Sequence, residues 1–139
     1  MEYRRFGQTN LDLSIFSLGI MHCCHSESNL EATVKQALSL GINHIELARS
    51  YGKSELYLGK VLAKLDIPRS QIILTTKFLP TSDYKQTQNW LNESLSRLQV
   101  SYLDCVAFHG INTWEHLEYI QNPQGSIKAL QEAKAEGKV

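Results

Sequence analysis

Four side chains able to move or steer a proton stand at matching places in the sequence: Glu46, Tyr51, Lys77 and His109. In HIELARSYGKSE, residues 44–55, the acid ends an apolar run and the phenol follows five residues later, while Lys77 ends ILTTK and His109 follows VAF. A phenol with a pKa of about 10 is a weak acid at neutral pH, and an ammonium within roughly 4–6 Å makes its proton easier to release. Lys77 can supply that ammonium. In a low-dielectric cleft the ammonium would itself shed a proton, so a carboxylate such as Glu46 is needed to hold it charged. His109 can then orient a carbonyl oxygen by donating a hydrogen bond. Together the four make a device that hands a proton to a carbonyl oxygen while a hydride reaches its carbon, and the hydride has to come from a cofactor.

Each residue alone has a plainer reading. Glu46 would be a solvated strand end, Lys77 a sheet-edge charge, His109 a ring satisfied by a backbone carbonyl, and Tyr51 an aromatic covering a rim. Those readings lose ground because three consecutive strands would each have to end in a titratable group by coincidence.

The elements that position these groups alternate. A short polar hairpin, YRRF then DLSIF across turn residues 8–10, leads into a first buried strand over residues 15–20. Ser28 and Glu31 have capping-box spacing, and Leu30, Val34, Ala37 and Leu38 repeat at helical period until Gly41 offers a stop. Residues 42–47 read as a second strand, and from Ser54 a helix carries Leu58, Val61, Leu62 and Leu65 on one face, closed by Pro68. The β-branched run over residues 72–76 is a third strand, followed by a helix with the stripe Thr87, Leu91, Ser94, Leu95 and Leu98. Residues 103–108 make a fourth strand. Its long connection carries a short helix with Trp114, Leu117 and Ile120 on one side, before a last helix over residues 126–136 with the stripe Ile127, Leu130 and Ala133 and with Gly137 as its stop. Strict strand–helix alternation predicts a parallel sheet and α/β architecture. In such a sheet the loops after the strands open on one face, and that face hosts the site.

Bulk properties narrow the partners. The 139 residues are 42% hydrophobic and can bury a core of their own, so residues 1–139 read as a single domain. Fourteen Lys plus Arg balance fourteen Asp plus Glu without a block of one sign, which argues against nucleic acid or an anionic membrane as partner. The start MEYRRFGQTN lacks a secretory apolar region, and no apolar run approaches the roughly 18 residues of a membrane span, so a soluble, cytoplasmic protein is expected. Cys23, Cys24 and Cys105 cannot all pair within one chain and are expected to be reduced. His22, Cys23, Cys24 and His25 suggest a metal site at a glance, but adjacent side chains diverge where ligands must converge, and no metal is expected.

The same residues resemble the aldo-keto reductase family, over nearly the whole chain. YRRFGQTNLDLSIFSLGIM resembles the family's N-terminal hairpin and first strand, GINHIELARSYG its second strand and tyrosine loop, ILTTKF its lysine strand, and SLSRLQVSYLDCVAFHG its third helix and histidine strand. The resemblance implies the first four βα units of a (β/α)8 TIM barrel behind a short N-terminal β-hairpin. It also implies reduction of an aldehyde or ketone with NADPH, the reduced form of NADP, with the choice between NADPH and NADH left open. Tyr51 would be the proton donor, tuned by Lys77, His109 and Glu46. Gly19, in SLGIM, falls where the family places a glycine near the nicotinamide end of the cofactor, and Glu46 falls beside it; for Gly19 a tight exit from a strand is an equal reading.

Two departures stand out. Most members have Asp where this chain has Glu46, although IELARSYG resembles a bacterial branch, often with a C-terminal iron-sulfur segment, in which Glu is usual. The extra methylene displaces the carboxylate by about 1 Å. The second departure is length: an eight-unit barrel runs to about 250 residues, and this sequence ends after four units at GKV. In the family most cofactor contacts come from strands five to eight, so the isolated 139-residue chain is expected to be a weak or inactive, truncated half-barrel. Its bare sheet edges would be covered by the missing C-terminal half or by a second copy in a homodimer. Two other functions compete: a Schiff-base, aldolase-type barrel with Lys77 as nucleophile, and a non-catalytic half-barrel that assembles with a partner chain.

Overall fold

Local hydrogen bonding at the N-terminus explains the first elements of the chain, in a computed structural model that describes residues 1–22 and 25–139. Strands β1 (Tyr3–Arg5) and β2 (Asp12–Ser14) form the expected antiparallel hairpin, with Tyr3 opposite Ser14. The hairpin is tied to the body by Asn43, whose side chain accepts from the Ser14 N–H at 2.8 Å and donates to the Asp12 carbonyl at 2.8 Å. The Ser14 hydroxyl turns back to the Phe16 carbonyl at 2.6 Å. That bend is why the strand expected over residues 15–20 shrinks to β3 (Leu18–Gly19), leaving Phe16 62% exposed.

Helix α1 (Glu27–Ser39) follows and buries Leu30, Val34 and Ala37. Its cap is Ser26, not Ser28: Ser26 has extended backbone and its hydroxyl accepts from the Asn29 N–H at 3.1 Å, while the Ser28 hydroxyl meets that of Ser26. Gly41, at φ +82°, ends the turn as expected. Strand β4 (His44–Glu46) leads to α2 (Ser54–Lys64), a 3-10 turn at Arg69–Gln71, β5 (Ile73–Phe78), α3 (Tyr84–Leu98), β6 (Cys105–Phe108), α4 (Trp114–Gln121) and α5 (Ser126–Ala135). On α4 Trp114 is 82% exposed and stays out of the core. On α5 the buried residues are Ser126, Ala129 and Ala133.

Strands β3, β4, β5 and β6 form a parallel sheet in chain order, behind the hairpin. One face is packed under the helices by Ile45, Leu74 and Phe78, together with Leu58, Val61, Leu91 and Leu98 from α2 and α3. Helices α2 and α3 approach closely at Gly59, where a Cβ would fall 2.3 Å from the Arg97 carbonyl oxygen. The other face, the inner face of a partial (β/α)8 barrel, carries His44, Glu46, Thr75, Lys77, Cys105 and Ala107, all half-buried. The period of two along each strand thus gathers His44, Glu46, Thr75 and Lys77 on the inner face, with Thr76 turned to the helices, where it bonds Glu55.

Candidate active site

The four proton-handling residues meet at the C-terminal edge of this sheet. Glu46 ends β4, and Lys77 lies one residue from the end of β5, on the strand paired with β4. The ladder continues past the assigned strands: the Leu47 N–H donates to Thr75 O at 2.9 Å and the His109 N–H to Phe78 O at 2.8 Å. These bonds bring the segments after β4 and β6 alongside β5, which is how residues 46, 77 and 109 come to share one rim.

Tyr51 reaches the rim through a tight turn. Its N–H donates to Ala48 O at 3.0 Å, and the buried Ser54 hydroxyl donates to the same carbonyl at 3.2 Å. Glu55, at the start of α2, anchors the turn from below: its carboxylate accepts from the Thr76 hydroxyl at 2.9 Å and from Arg97 at 3.3 Å. The loop bearing the phenol is therefore bolted to β5, the strand that bears the lysine.

Lys77 is the hub. Its ammonium pairs with the Glu46 carboxylate and donates to the Tyr51 hydroxyl at 3.0 Å and to the Leu47 carbonyl at 3.2 Å. The longer Glu46 side chain thus reaches the lysine. Burial draws the Lys77 pKa below the ordinary lysine value, and a carboxylate in contact acts in the opposite sense. The His109 and Tyr51 rings meet in a T-shape, with centroids 5.4 Å apart at 86°, and His109 Nδ1 lies 3.0 Å from the Ser50 Oγ. All four expected residues are brought together, so the arrangement can donate a proton from a phenol whose neighbour is cationic.

Other residues at the rim carried no sequence signal. Ser50 precedes Tyr51 in an ordinary loop, and only the fold shows that it touches His109. Arg49 is held by Glu93 at 2.7 Å and by the Trp90 carbonyl at 3.1 Å, and it lines, with Ser50, Lys77, Leu79 and Trp90, an open cavity of about 220 Å³ beside the site. Trp90 packs on Phe78, centroids 6.1 Å apart, as a core neighbour.

For a nicotinamide cofactor, the residues present fit one end. Gly19 is paired in register with Glu46, is exposed, and a Cβ there would lie 3.7 Å from Glu46 Oε2, an ordinary contact. A flat ring thus finds a bare strand end beside the acid–base cluster. For the anionic end of the cofactor the nearby cations are spoken for, since Arg49 and Lys77 are both paired to carboxylates. Among the described residues no group of three His, Cys, Asp or Glu could hold a metal ion; Cys23 and Cys24 lie outside the described residues. Cys105 is free, as expected, and burial raises its thiol pKa. No helix among the described residues is long and apolar enough to cross a membrane.

Comparison with known proteins adds to this geometry. The profile of the Aldo/keto reductase family matches residues 16–139. The chain is 35% identical to an L-galactose dehydrogenase of Arabidopsis thaliana over 150 residues, covering 99% of this chain and 46% of that protein. It is 29% identical to a methylglyoxal reductase of Salmonella typhimurium, covering 76% of this chain and 40% of that one. Among solved structures, the holo form of an aldo-keto reductase from Bacillus halodurans superposes with a TM-score of 0.83 at 28% identity, covering 99% of this chain and 47% of that chain. The chain thus spans less than half the length of each of these relatives.

Proposed function

The chain belongs to the aldo/keto reductase family, and on that premise we propose that it supplies the acid–base half of an NAD(P)H-dependent reductase of aldehydes or ketones. The observation that carries the proposal is the contact of the Lys77 ammonium with the Tyr51 hydroxyl at 3.0 Å while the same ammonium pairs with Glu46. Tyr51 gives its hydroxyl proton to the carbonyl oxygen. Lys77 favours the phenolate left behind, and Glu46 keeps Lys77 charged despite its partial burial. His109 donates a hydrogen bond to the same oxygen and orients it. Gly19 and Glu46 would hold the nicotinamide end of the cofactor, which when bound supplies the hydride.

The substrate is a small carbonyl compound, and neither nucleic acid nor membrane is a partner in this reading. Two of the relatives above carry names that point to different compounds, L-galactose and methylglyoxal, so no single substrate follows for this chain. The isolated 139-residue stretch is a single half-barrel domain that turns over weakly or not at all, because its sheet edges and the anionic end of the cofactor both need further protein. The C-terminal half of a longer chain would supply both, whereas a second copy would cover the sheet edges alone. A Schiff-base mechanism is less well supported, since three partners hold the Lys77 ammonium where a nucleophile needs a free amine. Loss of NADPH absorbance on adding an aldehyde to the full-length protein tests the reductase reading. A silent assay over a broad aldehyde and ketone panel, with borohydride trapping at Lys77, would replace it by the Schiff-base one.

A further inference from the structure

The proposed site leaves one choice open: which nitrogen of His109 carries the proton. A neutral imidazole has one N–H and one lone pair, and only its N–H side can donate to a carbonyl oxygen. Three contacts fix this ring. The backbone N–H is bound to Phe78 O at 2.8 Å, the ring face or edge meets Tyr51 at 5.4 Å between centroids, and Nδ1 lies 3.0 Å from Ser50 Oγ. Among the described residues Nδ1 is the ring nitrogen with a hydrogen-bond partner, so Nε2 is left for a ligand.

Two pairings satisfy that contact. In one, Nδ1–H donates to the Ser50 oxygen and Nε2 presents a lone pair, which repels a carbonyl oxygen. In the other, the Ser50 hydroxyl donates to the Nδ1 lone pair and Nε2 carries the proton. A serine hydroxyl rotates freely between donor and acceptor roles, so the contact can supply the second pairing when a carbonyl oxygen is present. We propose that Ser50 is a positioning residue: its hydroxyl donates to His109 Nδ1 and selects the Nε2–H tautomer, the donor to the carbonyl oxygen that takes the Tyr51 proton. The choice between the two pairings rests on the reductase reading, which needs an N–H aimed at a carbonyl oxygen, whereas the Ser50 contact stands without it. Ser50 adjoins Tyr51 on the turn that is anchored to Ala48 O, so one segment delivers the acid and sets the imidazole that aims its target.

Nitrogen-15 NMR of labelled histidine in the full-length protein tests this, with the His109 signals assigned from their loss in His109→Asn. At a pH where the ring is neutral, the wild type should show a protonated Nε2 and an unprotonated Nδ1. Ser50→Ala should let the other tautomer grow several-fold, and Ser50→Thr, which keeps a hydroxyl, should restore the wild-type ratio. In the carbonyl assay kcat/KM should fall about fivefold in Ser50→Ala, the scale of one hydrogen bond, and recover in Ser50→Thr. A protonated Nδ1 in the wild type, or an unchanged tautomer ratio in Ser50→Ala, overturns the inference. A tautomer change without carbonyl turnover in any variant would uphold the Ser50 contact and remove the reductase reading instead.

Discussion

Strand β5 has an ion pair at each end, and the two pairs are buried to a similar degree yet built differently. At its C-terminal end Lys77 pairs with Glu46, with side chains 19% and 28% exposed; before its N-terminal end Arg69 pairs with Asp104 at 2.5 Å, with side chains 18% and 10% exposed. The Arg69 guanidinium also donates to Ile72 O and Tyr102 O and stacks on the Tyr102 ring at 4.0 Å, while Asp104 accepts from the Leu74 N–H at 2.8 Å. Those further partners are backbone groups and a ring face, and among the described residues no hydroxyl is bonded to either member of the pair. Lys77, by contrast, spends a donor on a phenol beside an open cavity. Burial and charge alone therefore do not mark a site; the proton inventory of the third partner does.

The sharpest way to break this comparison is to remove that third partner. Tyr51→Phe deletes one oxygen and should lower kcat/KM for a carbonyl substrate by about 10³-fold while the unfolding midpoint stays put, the range a lost general acid gives. Steady-state kinetics alongside urea unfolding of the full-length protein reads both. A loss of less than tenfold would place the proton donor elsewhere and make the two ends of β5 equivalent.

The opposite end should fail in the opposite currency. Asp104→Ala strands the Arg69 guanidinium and the Leu74 N–H, and should cost about 3 kcal/mol of stability, the lower end for breaking a largely buried pair. Turnover per folded molecule should stay within about twofold, because the two ends of the strand share no partner. Urea midpoints, with rates normalised to the folded fraction, check it; a selective loss of turnover would mean the two ends are coupled.

Much of this contrast was legible in the sequence, and the reason is geometric. A β-branched run such as ILTT announces a buried strand, and the residue that ends it must lie at the sheet's rim, so Glu46, Lys77 and His109 could be placed before any coordinates. Tyr51 followed from its distance to Glu46 along one loop. What stayed hidden depends on pairing between segments far apart in the chain. Ser50 meets His109 and Arg69 meets Asp104 only because β4, β5 and β6 align, and no local pattern records that alignment. The apolar stretch before Leu18 misled for a related reason, since its bend is made by the Ser14 hydroxyl on the Phe16 carbonyl while Asn43, from the next unit, holds the Ser14 N–H.

A finer probe of the catalytic end changes a charge and keeps the shape. Burial already draws Lys77 below the ordinary lysine value, so its charged form is lost as pH rises through a lowered pKa. Glu46→Gln removes the carboxylate that opposes this, lowering the pKa further. The alkaline decline of kcat/KM should then begin at lower pH than in the wild type, with a loss of roughly tenfold at neutral pH, the size expected when a tuning charge is removed. An alkaline limb that does not move would mean Glu46 positions the lysine without tuning it.

The smallest expected effect lies between the two ends, on the inner face of β4. His44 Nδ1 lies 2.7 Å from the Ser17 hydroxyl and Nε2 2.9 Å from the Thr75 hydroxyl. Burial lowers its pKa from 6.5, with the Asp104 charge pulling weakly the other way, so the folded protein holds this ring neutral. Well above 6.5 the ring is neutral in both states and the contacts are intact. As pH falls through that value, the unfolded chain takes up a proton that the fold resists, and stability declines until the folded-state pKa is passed. His44→Asn keeps a hydrogen-bonding side chain without a titrating group. Urea midpoints taken on either side of pH 6.5 should therefore fall less in His44→Asn than in the wild type. Equal acid sensitivity in the two proteins would move the titrating group away from the inner face and leave the contrast between the two ends of β5 without a pH-sensitive region between them.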